Sequence, residues 1–171
     1  MSATTLLLLA DTHLGPGQAD RPLTRIDGAL RGIDVIVHAG DIVDASVLEA
    51  LRERASHAEL LAVLGNNDVG RLDLPTRIET DVAGCRVGVV HDSGGAAGRT
   101  RRLRRWFPAC GLVVFGHSHL PWHEVDVSGG HEQHHVNPGS AILRRRAPAC
   151  TVARVTISDG AVTGVAHVTV D

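Results

Sequence analysis

The chain has no tyrosine, only two phenylalanines and only two tryptophans. Its core must therefore be built from Val, Leu, Ile and Ala. The exposed aromatic platforms on which single strands of nucleic acid stack can hardly be supplied, so nucleic acid is not indicated as a partner. Lysine is absent as well: all 17 basic residues are arginine, set against 19 acidic ones for a formal net charge of -2. That balance gives no general attraction to DNA or to acidic lipid, although arginine grips phosphate in a two-pronged way wherever one is well placed. Cysteines are few, at 85, 110 and 150, with no CxxC pair. An odd, scattered set argues against a disulfide framework or a thiolate zinc site and for a reducing, cytoplasmic setting. Long apolar runs are missing too. The densest, Leu6–Leu9, lacks a basic start, is too short to span a bilayer and soon meets Asp11, so it reads as a buried strand, and no membrane association is expected.

What is present is the balance of an ordinary globule, 43% hydrophobic and 21% charged over 171 residues, read as one domain over 1–171. Short apolar runs at Thr5–Ala10, Ile33–Ala39 and Leu60–Leu64 have the character of buried parallel strands. Helices are expected between them, at about Pro22–Arg31 with Asp20 as cap, and after Asp44 with Val47, Leu48 and Leu51 on one face. The second half reads differently. Strands at Arg77–Ala83 and Arg86–His91 flank a turn at Gly84, an Arg-rich helix covers Ala97–Trp106, and Leu112–Phe115 is a further strand. Hairpin-like pairs follow, Trp122–Val127 with Glu132–Val136 and Thr151–Ile157 with Val162–Val170. The pattern predicts an α/β domain with two packed sheets.

The chemistry-bearing residues fall at strand ends. Asp11 and His13 follow the first strand, Asp41 the second, and Asn66, Asn67 and Asp68 the third; His91 ends a later strand, and His117 and His119 follow another. In α/β sheets that edge is where ligands bind. Carboxylate and imidazole donors without thiolate suit manganese, iron or zinc. Two such ions need a shared anionic ligand, and together they clamp phosphate oxygens and acidify a bound water, giving hydroxide as an in-line nucleophile.

The series D-x-H (Asp11, His13), GD (Asp41), GN-x-D (Asn66 to Asp68), the strand-end His91 and GHSH (His117, His119) resembles the calcineurin-like metallophosphoesterases. Chain length and Asn137-Pro138-Gly139-Ser140 point to the small YfcE-like phosphodiesterase branch, which also contains the retromer small subunit, a scaffold. The resemblance covers about Thr5 to Ser140. It implies a four-layer α/β/β/α sandwich of two mixed sheets and two divalent metal ions, manganese first, with Fe, Zn or Ni as alternatives. Asp11, His13 and His119 would hold one ion, Asn66, His91 and His117 the other, and Asp41 both. It also implies hydrolysis of a small phosphoester, a diester before a monoester. Asn67 and Asp68 are the candidate catalytic side chains; Asp68 also reads as steadying its loop, by accepting a hydrogen bond from a ligand or substrate-side group or through an Asx-type turn. The alternative the resemblance carries is a catalytically weak or inactive protein-binding scaffold. Whether the chain forms an oligomer is not readable. Two positions depart from the wider superfamily: Asn67 stands where many relatives have a histidine that assists the leaving group, and Asp92 stands where a glycine is usual.

Other residues invite blander readings. His38 lies on a buried strand and reads as a core or supporting histidine. His131, His134 and His135 read as a solvated strand, and the arginines of 99–105 as a solvated helix face with Leu103, Trp106 and Phe107 turned inward. Gly139 and Ser140 either border the site or make a structural turn. One of Arg144–Arg146 is a candidate for reaching a substrate phosphate.

Overall fold

Leu6–Leu9 alternate between two cores, and this places β1 (Thr4–Leu9) at the centre of the molecule. In this computed structural model, which describes residues 3–170, Leu7 and Leu9 pack with the helices while Leu6 and Leu8 face a second sheet. A strand buried on both faces has no polar side to show, which is why its sequence is a continuous apolar run. Its neighbours obey the same period of two, with Ile36 outward and Val35 and Val37 inward on β2 (Val35–His38).

The first sheet has the order β10-β9-β1-β2-β3, with β3 at Glu59–Ala62, β9 at Thr151–Ser158 and β10 at Ala161–Thr169. β1, β2 and β3 run parallel, and β9 is antiparallel to β1. α1 (Asp20–Leu23) and α2 (Ala45–Arg54) cover its outer face. The second sheet runs β4-β5-β6-β8-β7: β4 Arg77–Val82, β5 Cys85–Val90, β6 Leu112–Val114, β7 Pro121–Asp126 and β8 Gln133–Pro138. α3 (Arg99–Trp106) closes it from outside through Leu103 and Phe107. The result is the expected four-layer α/β/β/α sandwich.

Three local expectations are corrected. The helix expected over Pro22–Arg31 is a single α turn followed by a 3-10 turn at Thr24–Ile26, and Asp20 opens the helix without capping it. Two glycines, Gly28 and Gly32, and the β-branched Thr24 and Ile26 weaken helix there, while buried Leu23, Ile26 and Ile33 hold the segment down without it. The strand carrying His134 and His135 is not solvated. β8 lies between β6 and β7, so His135 is fully buried and His134 half-buried; only His131 is exposed. The helix arginines also divide. Arg101 and Arg105 are in water, but Arg102 donates to the carbonyl oxygens of Ser93 (2.6 Å) and Gly95, and Arg104 pairs with Asp126 (2.8 Å). α2 behaves as expected, with the Asp44 carboxylate accepting from the Ser46 N–H at 3.1 Å and Val47, Leu48 and Leu51 buried.

Candidate metal centre

The parallel register brings the C-terminal ends of β1, β2, β3, β5 and β6 to one edge of the sandwich, and the loops leaving them cross-link at once. The Asp11 N–H donates to the Gly40 carbonyl (2.9 Å), the His13 N–H to that of Asp41 (3.0 Å), and the Gly116 N–H to that of His91 (2.9 Å). Room for this crowding comes from glycine. A Cβ at Gly65 would sit 2.2 Å from both the Asp41 N and its Oδ1, and one at Gly40 would meet the His91 Nδ1 at 2.8 Å. Hence the G-D and G-N pairs in the sequence. Asp11, His13, Asp41, His117 and His119 all adopt left-handed backbone conformations, with φ of 55°, 49°, 57°, 68° and 59°. Non-glycine residues hold such angles at a cost of about 1–3 kcal/mol each, and such strain gathers at functional sites.

Two clusters of donor atoms result. In one, the Nε2 atoms of His13 and His119 lie 3.1 Å apart, and the Asp11 Oδ1 is 3.5 Å from that of His119. In the other, the Asn66 Oδ1 lies 3.2 Å from the His91 Nε2 and 3.1 Å from the His117 Nδ1, and those two nitrogens are 3.3 Å apart. Ligands about 2.1 Å from a common ion at tetrahedral or octahedral angles stand roughly 3.0–3.4 Å from one another. The Asp41 Oδ2 lies between the clusters, 3.5 Å from the Nε2 of His13 and 3.5 Å from the Nε2 of His91.

The electrostatics fit a cation. The Asp11 Oδ2 is buried without a hydrogen-bond partner, and burial pushes the Asp11 carboxyl up to about 7 against the opposing charge of His91. A carboxylate in that position lacks positive charge, and a divalent ion would supply it. Asp41 is held well below the usual carboxylate range: burial pushes upward, but hydrogen bonds involving His91 and Asn67 outweigh it. His13 and His119 are shifted down, chiefly by burial, which favours the neutral ring a metal needs. In His91 burial is outweighed by Asp41 and the ring is shifted up. Two rings are also oriented from behind. The His91 Nδ1 lies 2.7 Å from the Ala39 carbonyl and the His119 Nδ1 2.6 Å from that of Leu143, so each N–H points away and each Nε2 lone pair points into the site.

All seven ligand positions named from the sequence thus converge on one edge. The two candidate catalytic residues are placed differently from each other. Asp68 is fully buried, and its carboxylate accepts the backbone N–H groups of Ile42 (2.9 Å), Val43 (2.7 Å) and Gly65 (2.7 Å). These bonds tie the Asp41 loop to the Asn66 loop, as the loop-steadying reading of Asp68 expects. Asn67 is exposed, but its amide Nδ2 donates to the Asp41 Oδ2 at 2.7 Å and its backbone N–H to the Oδ1 at 2.9 Å. His38 is buried, pushed down to about 3 by burial, with its Nε2 3.1 Å from the Thr12 hydroxyl. The Asn137–Ser140 turn braces the site from below. The Asn137 amide donates to the Gly116 carbonyl (2.7 Å), and the Ser140 hydroxyl to that of Asp11 (2.7 Å). Gly139 and Ser140 are buried, so their N–H groups do not face a phosphate. This is the structural turn that the sequence offered for Gly139 and Ser140, but its partners, up to 129 positions away, leave no local signal.

Known proteins resemble this chain in sequence and in fold. A probable metallophosphoesterase from Methanocaldococcus jannaschii is 27% identical over 155 residues, covering 89% of this chain and 75% of that one. The phosphoesterase YfcE from E. coli shares the fold with a TM-score of 0.63 at 21% identity, over 98% of this chain and 100% of that one. Wild-type Vps29 from Entamoeba histolytica, solved in complex with Zn2+, does so with a TM-score of 0.68 at 19% identity, over 97% and 99%. Residues 5–160 match the calcineurin-like phosphoesterase superfamily domain, and the chain belongs to that superfamily.

Proposed function

We propose that the protein is a metal-dependent phosphodiesterase working through a dinuclear centre. Membership of the superfamily supports phosphoester hydrolysis and divalent metal ions. The dinuclear reading rests on one observation, the Asp41 Oδ2 standing 3.5 Å from a histidine of each cluster. Asp11, His13 and His119 would hold one ion, Asn66, His91 and His117 the other, and Asp41 both. Two such ions supply Lewis acidity and an acidified water at neutral pH. The chain's own residues hold the ligand loops rigid through Asp68, Ser140 and Asn137, and fix the ring orientations through Ala39 and Leu143. Manganese suits the mixed oxygen and imidazole donors. Diester preference is supported by the YfcE-like motif pattern and by Asn67, which cannot protonate a departing alkoxide. Three buried free cysteines support a reducing compartment; among the described residues no helix is long and apolar enough to cross a membrane.

The test is a parallel assay of bis(4-nitrophenyl) phosphate and 4-nitrophenyl phosphate with manganese-reconstituted protein, alongside metal analysis. About two ions per chain and faster turnover of the diester are expected; one ion, or faster monoester turnover, would overturn the dinuclear or the diester reading respectively. A second reading, a protein-binding scaffold, is favoured by the likeness to Vps29. Because that protein is itself solved with Zn2+, metal content does not separate the two. Turnover does: fully loaded protein that hydrolyses no phosphoester is the scaffold's signature.

A further inference from the structure

The two sides of the centre are unlike. A cavity of about 310 Å³ opens beside the Asn66–His91–His117 cluster, and His91 and His117 form part of its wall. Leu64, Val69, Thr76 and Val90 supply most of its apolar lining. Val69 is 71% exposed at its lip, the most exposed of the large hydrophobic side chains among the described residues. An apolar group seated beside the cluster would take that carbon out of water. The other cluster, Asp11–His13–His119, has a cation near it. Arg145 is exposed, has a left-handed φ of 47° and lies two residues beyond Leu143, whose carbonyl is 2.6 Å from the His119 Nδ1.

We infer that the cavity is a subsite for an uncharged, aryl-like arm of the phosphoester, with the phosphate lying across the ligand clusters and Arg145 flanking its far side. This rests on the phosphoesterase reading and adds the polarity of the substrate to it. The size is at the lower end for ligand pockets, which run to roughly 300–1,000 Å³, so it suits one ring system and not a long chain. Asp92 fixes the sign. Asp92 also lines the cavity, its carboxylate accepting the Gly94 N–H at 2.7 Å, and among the described residues no arginine lines it. A second phosphate or a carboxylate on the arm would meet the Asp92 charge there, with no cationic side chain in the wall to receive it. The residue that departs from the superfamily pattern thus acts as a filter against anionic arms.

The probes are phenylphosphonate, methylphosphonate and phosphonoacetate, which present one anionic head with an aryl, a minimal or a charged arm and are not hydrolysed. Calorimetry on the full, manganese-loaded chain reads their affinities. The phenyl probe is expected to bind about tenfold more tightly than the methyl one, the increment expected for burying most of one ring, and phosphonoacetate the most weakly. Val69→Asn should abolish the phenyl preference with little change in methylphosphonate affinity, Val69→Leu should retain the preference, and Asp92→Asn should raise phosphonoacetate affinity more than that of the other two probes. Equal phenyl and methyl affinities in the wild type would overturn the subsite, as would a phenyl preference that survives Val69→Asn. The two readings fail separately. A protein that prefers the phenyl probe yet turns over no ester keeps the subsite and loses the enzyme; one that turns over diesters but binds both probes equally keeps the enzyme and loses the subsite.

Discussion

Two pairs of histidines in this protein share nearly the same internal geometry. His13 and His119 stack with ring centroids 5.0 Å apart, an interplanar angle of 13° and facing nitrogens at 3.1 Å. His123 and His134, on adjacent strands β7 and β8, stack at 5.3 Å and 15°, also with nitrogens at 3.1 Å. The rest of their surroundings differ. The first pair has the Asp11 and Asp41 carboxylates each 3.5 Å from a facing nitrogen and a backbone carbonyl fixing the His119 ring. The second has only Glu132, 3.8 Å from the far nitrogen of His134. Two imidazoles at chelating distance arise readily across a β-ladder. A divalent ion also needs anions to replace its water and rings that cannot turn, and these are what the strand-end loops provide.

The largest expected effect is on the first pair. Asp41→Asn keeps the shape and removes the charge shared by both clusters, and kcat/KM for bis(4-nitrophenyl) phosphate should fall by about 10³-fold. Asp44→Asn, at the α2 cap, is the matched control and should leave kcat/KM within a factor of about two. Equal activity in wild type and Asp41→Asn would break the comparison outright. Next in size is Asp68→Asn, which touches no ligand atom but loosens two ligand loops; metal affinity by competitive chelator titration should weaken by about 10–100-fold. An unchanged affinity would show that the loops hold themselves.

Asn67→His should speed alkyl diesters relative to nitrophenyl diesters by roughly tenfold, since general-acid help acts only on poor leaving groups. The readout is the slope of log kcat/KM against leaving-group pKa, and a shallow wild-type slope would mean that acid assistance is already present. A smaller effect concerns stability. Burial holds His135 at about 4, below its ordinary 6.5, and His38 at about 3. Both rings stay neutral in the fold and take protons in the unfolded chain. Their contribution is therefore complete above about pH 6.5 and is lost as pH falls towards about 4. The urea midpoint should drop between about pH 7 and pH 5, and less so in His135→Leu; an identical drop would place the acid sensitivity elsewhere. Last comes His123→Ala, for which no change in bound metal or turnover is expected. Loss of one ion per chain would mean that two imidazoles suffice after all.

The ligands were legible because each motif sits where a buried run stops, and a run such as Leu6–Leu9 announces its own end. The braces were not. Asp68 looks like one more acidic residue beside Asn66, and only the fold shows its oxygens taken by backbone from a loop 26 positions earlier. His134 and His135 read as solvated because strand neighbours point to opposite faces and so do not gather at one metal. Their burial follows from strand order, with β7 outside β8 and α3 above, and strand order leaves no trace in local pattern. The short α1 was overcalled for a related reason: periodic apolar residues mark what is buried, and a chain of turns can bury them as well as a helix.

The place of β9 bears on how the protein is made. As a nascent chain emerges at about 5–20 residues per second, β1, β2 and β3 can pair early, but the other edge of β1 waits for Thr151–Ser158. Until then the Leu6 to Leu9 backbone is open on one side, a hydrophobic edge of the kind that recruits strands from other chains. Ser140, which holds the Asp11 loop, also arrives in this late stretch. Ribosome-stalled chains ending before β9 should therefore need chaperone cover and should not retain metal, whereas chains stalled beyond β10 should be released ready to load.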